Sequence, residues 1–125
     1  MKKTTQLLMV LLALVFFSAC EYEFIEPKQP DIDPTDTLSF KSDIIPIFQG
    51  DGCTGCHSSV STAFSLEEGS AYQNIQAMGL VDVDDPESSK LYFIPNPAST
   101  ASHTKYSTDN AARVLLWIQQ GAENN

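Results

Sequence analysis

The sequence predicts a mainly α domain of short helices and long loops, with a core too thin to rest on side chains alone. Three observations carry this expectation. Helix-capping and helix-stopping residues recur along the chain, the apolar residues between them fall at helical spacing, and no stretch alternates like a strand for more than a few residues. With 125 residues, 42% of them hydrophobic and 18% charged, the chain suits one small folded domain rather than two or a disordered polymer.

The N-terminus comes first. Lys2 and Lys3 precede an unbroken apolar run from Leu7 to Phe17, followed by Ser18, Ala19 and Cys20. Such a run is too short for a bilayer that needs about 20 residues, and it has no polar face that would suit a buried core helix. A basic start, a short apolar middle and small residues before a break are the pattern of an export signal, here residues 1–19. Phe17-Ser18-Ala19-Cys20 resembles the lipobox of bacterial lipoproteins, with Phe17 where Leu or Val is usual. That resemblance implies cleavage before Cys20 and acylation of its sulfur. Anchoring by more than one acyl chain holds a soluble domain firmly to a membrane.

Residues 20–37 read as a tether. Pro27, Pro30 and Pro34 alternate with Glu21, Glu23, Glu26, Asp31, Asp33 and Asp36. Prolines stiffen such a segment and like charges extend it. The whole chain carries net charge −9, and from Cys20 onward sixteen acidic side chains face five basic ones, a balance of −11. This surface repels phosphate backbones, which disfavours nucleic acid, and it favours a partner with a basic docking surface.

The folded domain is expected over residues 38–125. Ser39 or Ser42 caps a first helix containing Phe40, Ile44, Ile47 and Phe48, with Pro46 best tolerated in the first turn and Gly50 at its end. Ser70 and Gln73 match a capping box for a helix through Ala71, Tyr72 and Ile75. Asp85-Pro86 opens a brief helix that buries Leu91 and Tyr92, and Pro95-Asn96-Pro97 begins a loop. Ser107 or Thr108 caps the last helix, Asp109 complements its dipole, Val114, Leu115, Trp117 and Ile118 are its apolar positions, and Gly121 stops it.

Cys53-Thr54-Gly55-Cys56-His57 carries the chemistry. A Cys-x-x-Cys-His run is the signature of covalent c-type haem attachment. On a helical turn, positions i, i+3 and i+4 share a face. Two thiols so placed can each add across one vinyl group of a single porphyrin, and the imidazole of His57 then becomes the proximal axial ligand. Competing readings are weaker. A thioredoxin-like dithiol needs a βαβ context. A structural zinc site needs four ligands, and only His103 remains to complete Cys53, Cys56 and His57. A Cys53–Cys56 disulfide closes too small a loop to stabilise much. The three cysteines are also accounted for: Cys20 for lipidation, Cys53 and Cys56 for thioethers. One covalent haem c would fill the thin core, offering surface to Phe48, Leu66, Tyr72, Leu80, Leu91, Phe93, Leu115 and Trp117, which otherwise are simply the core.

An ordered series of segments now resembles a known family. Ser39-Phe40, Asp43-Ile44-Ile45-Pro46-Ile47-Phe48, the Cys-x-x-Cys-His run, Pro86-Glu87-Ser88, and Trp117-Ile118 followed by Gly121-Ala122 are similar to the small cytochrome c domain of exported bacterial lipoproteins. The resemblance implies a class I cytochrome c-like fold in which the first and last helices cross near the haem edge. Members often place a distal Met in the loop before the final helix, and this chain has none there.

The sixth ligand can be sought by counting. Beyond Cys20 there is one Met, Met78, and apart from His57 one histidine, His103. His103 stands in the loop after Pro97, where the family's distal ligand usually lies, although a histidine in a polar loop is most often merely exposed. Met78 is the weaker candidate, since it also suits the end of an apolar helix face; an open or water-bound iron is the other option. Lys105 is the least favoured ligand. The expected function is single-electron transfer between redox partners by a lipid-anchored monohaem protein of the bacterial cell envelope, at the outer membrane and facing periplasm or cell surface, not an enzyme. The alternatives are a five-coordinate haem binding peroxide or a diatomic gas, for which the mature chain's lone Arg113 is poor furnishing, and a non-redox lipoprotein holding zinc or a disulfide.

Overall fold

A computed structural model describes residues 3–6, 32–60 and 64–125. The apolar run Leu7 to Phe17, expected to belong to an export signal, Cys20, and the part of the expected tether before residue 32 lie outside the described residues. Among the described residues the structure is mainly α and contains no strand, and no helix is long and apolar enough to cross a membrane.

The first helix begins unusually. Ser39 caps it, accepting a hydrogen bond on its hydroxyl from the Ser42 N–H at 3.3 Å, while Asp43 Oδ2 accepts from the Ser39 N–H at 2.7 Å. The first turn, Phe40–Ile44, is a π-turn, and it runs directly into α1, Ile45–Gly50. Pro46 explains the change of pitch. It has no N–H to give to the carbonyl four residues back, and its ring would clash with that carbonyl in a regular helix. A wider turn ahead of it lets α1 restart with Pro46 in its first turn, where a missing donor costs nothing. Asp51 follows, and Gly52 takes a left-handed φ of +76° to enter a 3₁₀ turn, Cys53–Gly55.

Helix α2, Ala71–Ala77, starts at Ser70, but the expected capping box is not formed. The Ser70 hydroxyl instead donates to Ser65 Oγ at 3.0 Å, and the Asn74 amide reaches the Ser65 carbonyl at 2.9 Å. Its end is a Schellman arrangement: Gly79 has φ +57°, and the N–H groups of Gly79 and Leu80 return to the carbonyls of Gln76 and Ile75. Asp85 leads into a 3₁₀ turn, Pro86–Ser88, and then α3, Lys90–Phe93. The Leu91 N–H bonds the Leu80 carbonyl, and the buried Ser89 hydroxyl both donates to the Asp82 carbonyl and accepts from its N–H. Two leucines are thereby clamped side by side.

The last helix, α4, Thr108–Gln119, is capped by Ser107 through the Asn110 N–H at 3.1 Å and ends at Gly121 with the same motif as α2. It packs against the first helix. Phe40 sits at the centre, its ring 5.2 Å from those of both Tyr72 and Trp117 and 6.4 Å from Phe48. Ile44, Phe48, Ile75, Val114, Trp117 and Ile118 are fully buried around this contact. The segment entering the first helix and the C-terminus close over it: the Asn125 side chain accepts from the Phe40 N–H at 2.8 Å, and the Leu38 N–H donates to the Gln120 side chain.

Candidate functional site

The motif is placed by bonds from both sides. Ahead of it, Asp51 Oδ2 accepts from the Ser107 N–H at 3.3 Å and the Asn110 amide at 3.0 Å, which ties the approach to the N-terminus of α4. Within it, the Cys53 carbonyl receives the N–H groups of Cys56 and His57 at 3.1 and 2.8 Å, so the run from Cys53 to His57 is one helical turn. Behind it, the Leu66 N–H donates to the His57 carbonyl at 2.8 Å.

The two cysteines face different surroundings. Cys53 is buried and Cys56 exposed, and they are not joined in a disulfide. Burial, and then the charge of Asp51, push the Cys53 thiol up to about 11. A dithiol of the thioredoxin kind needs a thiol shifted the other way.

Cys53 and His57 line a cleft of about 250 Å³. Its walls are Phe64 and Leu66 from the segment after the motif, the clamped pair Leu80 and Leu91, and Ile94 and Pro95 beyond α3. Lys90, Tyr106 and His103 complete the lining. Tyr106 is buried; its hydroxyl donates to the Leu91 carbonyl at 3.1 Å, and burial pushes its pKa well above the ordinary phenol value.

The imidazoles of His57 and His103 face this cleft from different segments, their ring centres 6.0 Å apart and their planes inclined by 30°. His57 Nδ1 lies 3.2 Å from the Phe64 carbonyl, and His103 Nδ1 lies 2.7 Å from the Thr104 carbonyl. A carbonyl only accepts, so each Nδ1 is the donor in its contact, and the tautomer that makes that contact carries its lone pair on Nε2. The Phe64 ring lies against His57 at 4.3 Å and fixes its tilt.

The other expected site residues fall elsewhere. Met78 is 53% exposed at the C-cap of α2 and does not line the cleft. Cys56 also stands outside the cleft lining, and Cys20 lies outside the described residues. Of the side chains expected around a haem, Leu66, Leu80 and Leu91 line the cleft, whereas Phe48, Tyr72 and Trp117 belong to the Phe40 cluster. Phe93 is exposed and Leu115 half-buried, and neither lines the cleft. No three His, Cys, Asp or Glu side chains among the described residues converge as a metal-binding group, so Cys53, Cys56, His57 and His103 do not assemble the four-ligand zinc alternative. The sequence reading missed Phe64, Lys90, Ile94, Pro95 and Tyr106. The role of Phe64 runs through its backbone carbonyl, which no residue type advertises.

The chain matches no protein-family model, no curated protein and no solved structure.

Proposed function

We propose that the chain is a membrane-tethered c-type cytochrome with a single haem, carrying one electron at a time between redox proteins of the cell envelope. The observation that carries this reading is the facing pair of imidazoles at one apolar cleft, each with Nδ1 held by a carbonyl and Nε2 left free. In this reading the helices form a class I cytochrome c-like fold, Cys53 and Cys56 hold the thioethers, and His57 and His103 are the axial ligands. Bound haem supplies a one-electron ferric–ferrous couple. The chain's own part is to keep the surroundings of that couple the same in both states. The Phe64 carbonyl orients His57 and strengthens it as a donor. The leucine clamp keeps the cleft apolar and water-poor, and the Tyr106 hydroxyl is already engaged by the Leu91 carbonyl. Acylated Cys20 holds the domain at the membrane through the tether, and the acidic surface favours a basic partner over nucleic acid.

One observation favours a second reading, an open iron position that binds peroxide or a diatomic gas. His103 is exposed and sits in a loop rather than a helix, so it is the more easily displaced of the two ligands. The test is absorption spectroscopy on the full chain produced in a host that attaches c-type haem. The expected result is haem retained through denaturation, a low-spin spectrum with no far-red sulfur–iron band, and a switch to high spin in His103→Ala. Ready carbon monoxide binding by the unaltered reduced protein would favour the second reading. A low-spin spectrum surviving in His103→Ala would remove His103 as the ligand, and the absence of any Soret band would overturn the haem reading.

A further inference from the structure

Lys90 is out of keeping with the rest of the cleft. The walls are leucine, isoleucine, proline and aromatic side chains with two imidazoles, and the lining contains no Asp or Glu. Lys90, the first residue of α3, lines it too. It follows an acidic stretch, Asp82, Asp84, Asp85 and Glu87, any of which is near enough in sequence to pair with it. Yet among the described residues the one ion pair is between Lys41 and Glu68, at 3.6 Å, and Lys90 has none. A chain with sixteen carboxylates and five cations beyond Cys20 thus leaves one cation at the edge of an apolar cleft without a carboxylate. The neighbouring cation differs: Lys105 Nζ donates to the Ile94 carbonyl at 3.0 Å and closes the end of α3.

An apolar cleft with one ammonium at its rim selects an occupant that is apolar over its body and anionic at one edge. Lysine suits such a rim, because its stem lies along apolar surface while the charge stays at the solvent edge. We infer that Lys90 is the carboxylate subsite of the cleft and, resting on the haem reading above, that it pairs with a haem propionate. The pair is a charge-assisted hydrogen bond from an exposed lysine at the rim of the apolar cleft. It also places positive charge beside the iron's surroundings, which favours the ferrous state.

The test uses the full haem-loaded chain and the variants Lys90→Met, Lys90→Arg and Lys41→Met, compared by resonance Raman spectroscopy and by midpoint potential. In Lys90→Met the propionate bending band is expected to move to lower frequency and the potential to fall. Lys90→Arg should restore both. Lys41→Met loses the same charge elsewhere and should move neither. An unchanged propionate band in Lys90→Met overturns this subsite while leaving the haem reading intact. A chain that takes up no haem in the unaltered form overturns both.

Discussion

Cys53 and Cys56 are three residues apart yet meet opposite surroundings, and that difference has a measurable consequence. The Cys53 thiol is buried beside Asp51, both of which penalise the thiolate, so its proton is held to about pH 11 against an ordinary value of 9.0. In the unfolded chain the thiol loses its proton near the ordinary value, so alkali favours unfolding. For the haem-free protein, the stability linked to this group is fully present below pH 9.0 and is lost as pH rises through about 11. Tyr106 acts in the same direction from pH 10.0 upward, because burial holds its proton too. Denaturant midpoints measured from pH 8 to 11 should therefore fall for haem-free wild type, and the fall should begin later in Cys53→Ala, where only Tyr106 remains. Equal pH dependence in the two proteins would refute the assignment. The same scale shows what a sequence conceals. His57 was marked by the Cys-x-x-Cys-His run and His103 by counting, because a metal needs side-chain donors and the chain beyond Cys20 has few. Phe64 was not found, since its contribution is a carbonyl that every residue owns, brought to His57 by the fold of the intervening loop.

Among the elements, the legible parts were those fixed by local chemistry. Ser39 and Ser107 cap the helices expected of them, and Gly121 closes the last helix as expected, with left-handed backbone at φ +101°. The failures arose where a distant group competed for a local one. Ser70 left its capping role because Ser65 is within reach of its hydroxyl, while Pro46 keeps its expected place in the first turn of α1. The glycines offer a controlled test of this local chemistry. Gly50 ends α1 with ordinary backbone, Gly121 follows α4 at φ +101°, and a methyl group added to either meets no atom within 4 Å. Only backbone conformation then separates the two substitutions. Gly50→Ala should stabilise by about 0.5–1 kcal/mol by restricting the unfolded chain. Gly121→Ala should destabilise by roughly 1–2 kcal/mol, the cost of forcing a side chain into the left-handed region. Chemical denaturation at neutral pH reads both, and the same sign for the pair would contradict the geometry.

At the scale of the whole molecule, one continuous apolar core has two parts, the packing between the first and last helices and the wall of the cleft. The apolar residues that the sequence grouped around a single cofactor divide between them. Phe48, Tyr72 and Trp117 join Phe40 where the first and last helices meet, while Leu66, Leu80 and Leu91 form the cleft. Periodicity identifies an apolar face but not which of two neighbours it meets, so this division was not legible beforehand. It leaves a protein whose interior is neutral and whose charge lies outside, with a balance of −11 beyond Cys20. Long-range attraction to a partner is then set by that surface, and salt weakens it over a Debye length of about 8 Å at physiological ionic strength. For the proposed electron carrier, the second-order rate of reduction by a basic redox protein should fall roughly tenfold or more between low and physiological salt. An acidic partner should react more slowly at low salt and gain as salt is added. Stopped-flow kinetics with one basic and one acidic small redox protein measures both. If both rates respond to salt in the same direction, the acidic surface does not direct docking, and the partner must be recognised by contacts at the cleft rim instead.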